Sequence, residues 1–223
     1  MKYMSLAMDV ATTEDILEFV GVFVCLSIAY VAIRGLRQTE SPALLRLATA
    51  FVFLGLGFFV EAVVDLEGIV SAVPALTTTA VAGLAVAGPL METTGYFFLA
   101  FSHALDVIFS RKLAVTLILF PMISIPTAQA VDALSALSFY FIVYGAVETV
   151  YAYSRSKNPD TLLTAAGLGF LGAGTFFPLL SLLYTKVYLL SLLQIILKEM
   201  GLAILFIPVL SYALGRTRIN GPI

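Results

Sequence analysis

The chain has 223 residues, of which 61% are hydrophobic and 12% are charged, and its mean hydropathy is +1.03. A soluble domain of this size could not bury so much apolar surface, so the composition predicts a protein that is surrounded by a lipid bilayer. The net charge of −2 and the lack of a basic patch argue against nucleic acid as a partner.

Few residues are available to build a metal or catalytic centre. Cys25 and His103 are the only cysteine and the only histidine, so neither a thiolate cage nor a histidine-built metal or haem site is expected. The sequence contains no glycine-rich phosphate loop, no H-E-x-x-H motif and no G-x-S-x-G elbow. We therefore expect no cofactor, no metal and no enzymatic activity.

Seven apolar stretches are each long enough to cross about 30 Å of hydrocarbon at about 1.5 Å per residue. Residues 1–15 carry three acidic residues and one lysine, unlike a basic signal peptide, so the first stretch is predicted to be retained as a membrane helix. The third stretch is overlong and contains Pro89, which predicts a kink. The predicted spans are 16–33, 44–64, 76–105, 113–130, 132–153, 161–183 and 187–214.

The basic residues that flank these seven spans fall almost entirely on one side of the membrane. Only Lys2 and Lys186 fall on the other side. The positive-inside rule then predicts a multi-pass protein of the cell membrane, with its N-terminus outside and its C-terminus in the cytoplasm. The basic residues on the cytoplasmic side are Arg34, Arg37, Arg46, Arg111, Lys112, Arg155, Lys157, Arg216 and Arg218.

A sequence match relates residues 42–59 to residues 159–176 at a constant offset of 117, for example Gly57 to Gly174. This match maps the first two spans onto the fifth and sixth. The sequence therefore predicts a single transmembrane domain, residues 1–223, in which two parallel repeats are joined by a linker helix. The repeats are predicted at about 14–110 and 131–216, and the linker helix at 113–130.

The predicted fold class is thus an all-α polytopic membrane protein with seven transmembrane helices, in which helices 1–3 and 5–7 form the parallel repeat. This three-one-three plan resembles the arrangement of sugar-transporting parallel-repeat proteins. Seven helices in this orientation also resemble microbial rhodopsins. Both resemblances concern architecture alone. A duplicated bundle is expected to hold its site between the repeats.

Ionisable residues inside the spans are functional candidates, because each costs about 2.5–3.5 kcal/mol on membrane-insertion scales. Residues three or four apart share one face of a helix, and three such polar faces are predicted to point into the bundle. Together they predict a ligand- or proton-binding site. Its residues are Glu92, Tyr96 and His103 in the third span, Tyr144 and Glu148 in the fifth, and Gln194 and Lys198 in the seventh.

The distances of these residues from the flanking basic residues predict two layers. Glu92 and Lys198 belong to an outer layer, where they form either a structural ion pair or a ligand- or proton-binding pair. His103 and Glu148 belong to an inner layer, where the histidine is either a satisfied interior residue or a proton relay. Glu61, near the outer end of the second span, is expected to reach water and not to join a site.

These features favour a carrier, or a bundle that binds a small molecule or ion at a polar site between the repeats. One alternative is a non-catalytic subunit or scaffold that works with membrane-protein partners or as a homo-oligomer. A second alternative is a photoreceptor with retinal on Lys198. Against it, the chain has no tryptophan, and Gln194 stands where a counter-ion carboxylate is expected.

Overall fold

A computed structural model describes residues 2–69, 78–101, 127–181 and 188–219. In these ranges all regular secondary structure is α-helical. The helices are α1 (Lys2–Thr39), α2 (Pro42–Ile69), α3 (Thr78–Ala100), α4 (Thr127–Ser156), α5 (Pro159–Ser181) and α6 (Tyr188–Ile219).

The all-α class fits the structure, but the prediction of seven transmembrane helices is wrong. The described ranges contain six helices, and five of them are long and apolar enough to cross a membrane. The three-one-three repeat layout, which needs seven spans, is wrong with it. These spans are Ile16–Thr39, Pro42–Val64, Ala128–Ser156, Pro159–Leu180 and Leu190–Ser211.

The linker helix predicted at 113–130 falls only partly on residues that the structure describes. Its residues 113–126 lie outside the described residues, and α4 already begins at Thr127, within the range assigned to the linker. A hydropathy window averages over about 19 residues, so it does not separate neighbouring apolar segments at their true boundaries. The span predicted at 132–153 is therefore the longer helix α4.

Two tight corners join α1 to α2 and α4 to α5. In each corner the residue after the helix has a left-handed backbone, with φ of 50° at Glu40 and 52° at Lys157, and its N–H donates to a carbonyl four residues back at 2.8 Å. This is a helix-ending αL turn. The following helix begins with Pro42 or Pro159, where a missing N–H leaves no helical hydrogen bond unmade.

The six helices form a closed ring in chain order, in which each helix packs against its two neighbours and α6 packs against α1. The interior is filled by large apolar side chains, including Phe51, Leu54, Leu171 and Leu202, all fully buried. The outer surface carries many exposed large apolar side chains, Phe23 among them at 70% exposure. Such an apolar exterior is expected of helices that face lipid.

Glycines bring neighbouring helices into close contact at Glu92 and Lys198. A Cβ atom at Gly57 of α2 would lie 2.7 Å from Cγ of Glu92 on α3 and 3.0 Å from its backbone nitrogen. A Cβ atom at Gly174 of α5 would lie 2.9 Å from Cγ of Lys198 on α6 and 3.1 Å from its backbone nitrogen. Small residues of this kind let membrane helices pack closely without a hydrophobic driving force.

We expect Gly174→Ala to lower the thermal stability of the protein in detergent, because the added methyl group would press on the backbone of α6. Overpacking of this kind typically costs about 1–3 kcal/mol. Gly169→Ala is the matched control, since it makes the same change on the same helix where no atom lies within 4 Å. Thermal unfolding followed by circular dichroism compares the two variants, and equal melting temperatures would contradict the prediction.

Candidate functional site

A cavity lies inside the ring, at the end where α1, α3, α4 and α6 begin and α2 and α5 end. Its larger lobe has a volume of about 510 Å³ and is lined by residues from all six helices. Its smaller lobe, of about 290 Å³, lies among α1, α2, α3 and α6. Because the lobes share lining residues, we describe them as one cavity. The shared residues are Glu14, Glu61, Pro89, Ser191, Gln194 and Lys198.

A buried ion pair forms part of the cavity wall. Nζ of Lys198 donates to both carboxylate oxygens of Glu92, at 2.8 Å and 2.9 Å, and the two side chains are only 4% and 7% exposed. Glu92 belongs to α3 and Lys198 to α6, which are not neighbours in the ring. The pair therefore crosses the interior and ties opposite sides of the bundle together.

The ammonium group of Lys198 has further partners around it. It lies 5.3 Å from the centre of the Phe58 ring, within the range of a cation–π contact. Glu18 of α1 and Glu61 of α2 are close enough to interact with it electrostatically. Acidic groups from three helices thus interact with one cation.

Carboxylates outnumber cations among the described residues that line the cavity. Glu14, Glu18, Glu61 and Glu92 face one lysine, which gives a formal charge of −3 when all five groups are ionised. Oε1 of Glu14 accepts a hydrogen bond of 2.6 Å from the Ser191 hydroxyl. A cleft lined by one sign of charge within low-dielectric walls concentrates ions of the opposite sign.

The described α4 and α5 residues that line the cavity are polar or apolar, and none of them is charged. Ser138 lines this wall, and its hydroxyl forms a buried 2.8 Å hydrogen bond with the hydroxyl of Thr93 on α3. Thr175 also lines it and donates to the carbonyl of Gly172 at 3.0 Å. Within the described ranges, no group of three or more His, Cys, Asp or Glu side chains is arranged to hold a metal ion.

The structure brings together three of the residues predicted from sequence. Glu92, Lys198 and Gln194 line the same lobe of the cavity. Tyr96 is fully buried one turn beyond Glu92 on α3, and its hydroxyl has no hydrogen-bond partner among the described residues. His103 lies outside the described residues.

The polar face predicted to point inward on α4 instead lies on the outside of the bundle. The Tyr144 hydroxyl donates to Oε1 of Glu148 at 2.6 Å in an exposed position, and Tyr140 and Tyr151 are also exposed. The buried face of α4 carries the smaller or apolar residues Ser138, Ile142 and Gly145. Helical periodicity shows which residues share a face, but the choice of buried face follows from close packing with neighbouring helices.

Three acidic residues of the cavity were not predicted as site residues. Glu14 lies just before the first predicted span, and Glu18 is its third residue. In the structure α1 extends from Lys2, so both belong to the helix and share its cavity-facing side. Their four-residue spacing was the available signal. Glu61 lines both lobes, although it was expected to reach water outside any site.

No protein-family model matches the chain, and no curated protein and no solved structure matches it either. Five long apolar helices and an outer surface rich in large apolar side chains are consistent with a membrane-embedded, multi-pass protein.

We expect Lys198→Met to destabilise the protein by about 3–5 kcal/mol, because it leaves the buried Glu92 carboxylate without its ammonium partner. The double variant Lys198→Met/Glu92→Gln removes both charges, so it should recover most of this loss. Thermal unfolding of the single and double variants in one detergent measures both effects. Lys157→Met, at an exposed corner, controls for the loss of one positive charge. Additive losses in the double variant would contradict the prediction.

Proposed function

We propose that this protein is a membrane carrier that binds a small cation in the cavity inside its helical ring. The observation that supports this proposal most strongly is the acidic lining of the cavity, where the described residues include four glutamates and one lysine. A cleft lined by carboxylates within low-dielectric walls attracts and concentrates cations.

The shape of the cavity supports a carrier. Beyond the Glu92–Lys198 pair the ring is filled by residues that are fully buried, among them Cys25, Leu54, Tyr96 and Leu202. The cavity is therefore closed toward the opposite end of the bundle. We propose that this is one state of an alternating cycle, in which the ring rearranges to release the cation at its other end.

The distribution of basic residues gives the proposed direction of the cavity. Basic residues flank both tight corners, which lie at the end of the bundle opposite the cavity. They are Arg34, Arg37 and Arg46 at the α1–α2 corner, and Arg155 and Lys157 at the α4–α5 corner. Under the positive-inside rule these corners face the cytoplasm. The cavity would then be loaded from outside the cell membrane.

We propose separate roles for the polar residues of the cavity. Glu14, Glu18 and Glu61 attract the cation into the cavity. Gln194 can both donate and accept hydrogen bonds, so it can orient a ligand beside Lys198. Glu92 and Lys198 join α3 to α6 across the interior while no ligand is bound.

We expect Glu61→Gln to weaken cation binding by about tenfold, which corresponds to 1.4 kcal/mol, because it removes one carboxylate from both lobes with little change in size. Calorimetry measures the affinity of the purified full chain for a panel of inorganic and organic cations. Tracer uptake into proteoliposomes measures transport. Glu148→Gln is the matched control, since Glu148 lies on the outer surface of α4. If wild-type protein binds no cation, or if both variants lose affinity equally, the proposal fails.

The second candidate function is that of a subunit in a larger membrane assembly. The observation that favours it is the hydrogen-bonded pair of Tyr144 and Glu148 on the outer face of α4, within a helix apolar enough to span a membrane. Polar groups on a lipid-facing surface are unfavourable and often meet a partner. Native mass spectrometry from mild detergent tests this candidate. A complex that is lost in the variant Tyr144→Phe/Glu148→Leu would favour a subunit.

A further inference from the structure

We propose that the ligand is a primary aliphatic amine in its ammonium form, and that Lys198 is a tethered competitor for the amine's place on Glu92. This inference rests on the cation-binding function proposed above and names the chemical class of the cation. It follows from how the cavity holds the ammonium group of Lys198.

The Lys198 side chain is itself an alkylammonium ion bound at the cavity wall. Its Nζ donates to both oxygens of Glu92, at 2.8 Å and 2.9 Å, and lies 5.3 Å from the centre of the Phe58 ring. An ammonium with several N–H donors satisfies both the carboxylate and the aromatic face. A quaternary ammonium lacks those donors, and a metal ion lacks the methylene chain. The site therefore matches a primary amine.

A ligand can reach this position from both lobes of the cavity. Glu92 lines the larger lobe, Phe58 lines the smaller lobe, and Lys198 lines both. The smaller lobe also presents apolar side chains on which a methylene chain can lie. These are Phe58, Val64, Leu84, Ala85 and Ile195.

The displaced lysine would keep an acidic partner. Cγ of Lys198 is held against α5 by the close approach of Gly174, so the displacement involves only the outer part of the side chain. Glu18 and Glu61 already interact electrostatically with the ammonium. A ligand ammonium that takes Glu92 thus leaves no buried charge without a counter-ion, and the exchange avoids the penalty that a lone buried charge would impose.

The test uses the purified full chain and n-butylamine at neutral pH as the probe, with calorimetry as the readout. Lys198→Met should bind n-butylamine about tenfold more tightly than wild-type protein or better, because it removes a competitor tethered at high effective concentration. Lys198→Arg keeps a tethered cation, so its affinity for n-butylamine should not exceed that of wild-type protein. An unchanged or weaker affinity in Lys198→Met overturns the inference.

A second variant keeps the test decisive if Lys198→Met does not fold. Lys198→Ala leaves a gap beside Glu92 that n-butylamine can fill. Purification in n-butylamine should restore a folded protein with a cooperative melting transition, whereas tetramethylammonium and n-butanol at the same concentration should not. If n-butylamine gives no restoration, or no more than the other two compounds, the inference is overturned.

The outcomes separate this inference from the function on which it rests. One outcome is that wild-type protein binds sodium or tetramethylammonium in a manner that depends on Glu61, while the affinity for n-butylamine does not rise in Lys198→Met. That result would support cation binding and overturn the amine site. If wild-type protein binds no cation at all, both proposals fall.

Discussion

The buried ion pair between Glu92 and Lys198 is the interaction on which the arrangement of the bundle depends. It joins two helices that do not otherwise pack as neighbours, so it spans the interior of the ring. Gly57 and Gly174 let α2 and α5 approach the backbone at these two residues. In the low dielectric of the interior, each charge is tolerated because the other is present. Packing and electrostatics are therefore satisfied at one place, and the cavity lies directly beside it.

Much of the architecture follows from local chemistry that can be read in the sequence. The all-helical, membrane-like class follows from composition, and Pro42 and Pro159 mark the first residues of α2 and α5. Counting from the flanking basic residues places Glu92 and Lys198 at equal depth, and in the structure the two side chains form an ion pair. The number of helices was not predictable in the same way, because hydropathy averages over a window and does not report how segments pack.

The rest of the site depends on tertiary packing. Tyr144 and Glu148 share a helical face, but periodicity does not specify whether that face is buried. The opposite face of α4 is the buried one, because the small residue Gly145 allows close packing against Ala100. In the sequence, Glu14 and Glu61 lie near the ends of predicted spans, where charged residues are common. They became cavity residues because the ring closes around those ends, and no pattern within one helix encodes that closure.

The cavity wall also has mechanical consequences. Where α1 meets α6, the Ser191 hydroxyl bonds to Glu14, and where α3 meets α4, the hydroxyls of Thr93 and Ser138 bond to each other. Ser191 and Ser138 both line the cavity, so water can replace the bond to each hydroxyl as the helices separate. The corners at Glu40 and Lys157 are short and tightly turned, so they change shape less easily than the α1–α6 and α3–α4 contacts. Widening of the ring would therefore begin with separation of α1 from α6 and of α3 from α4. The α1–α2 and α4–α5 hairpins would move as rigid units.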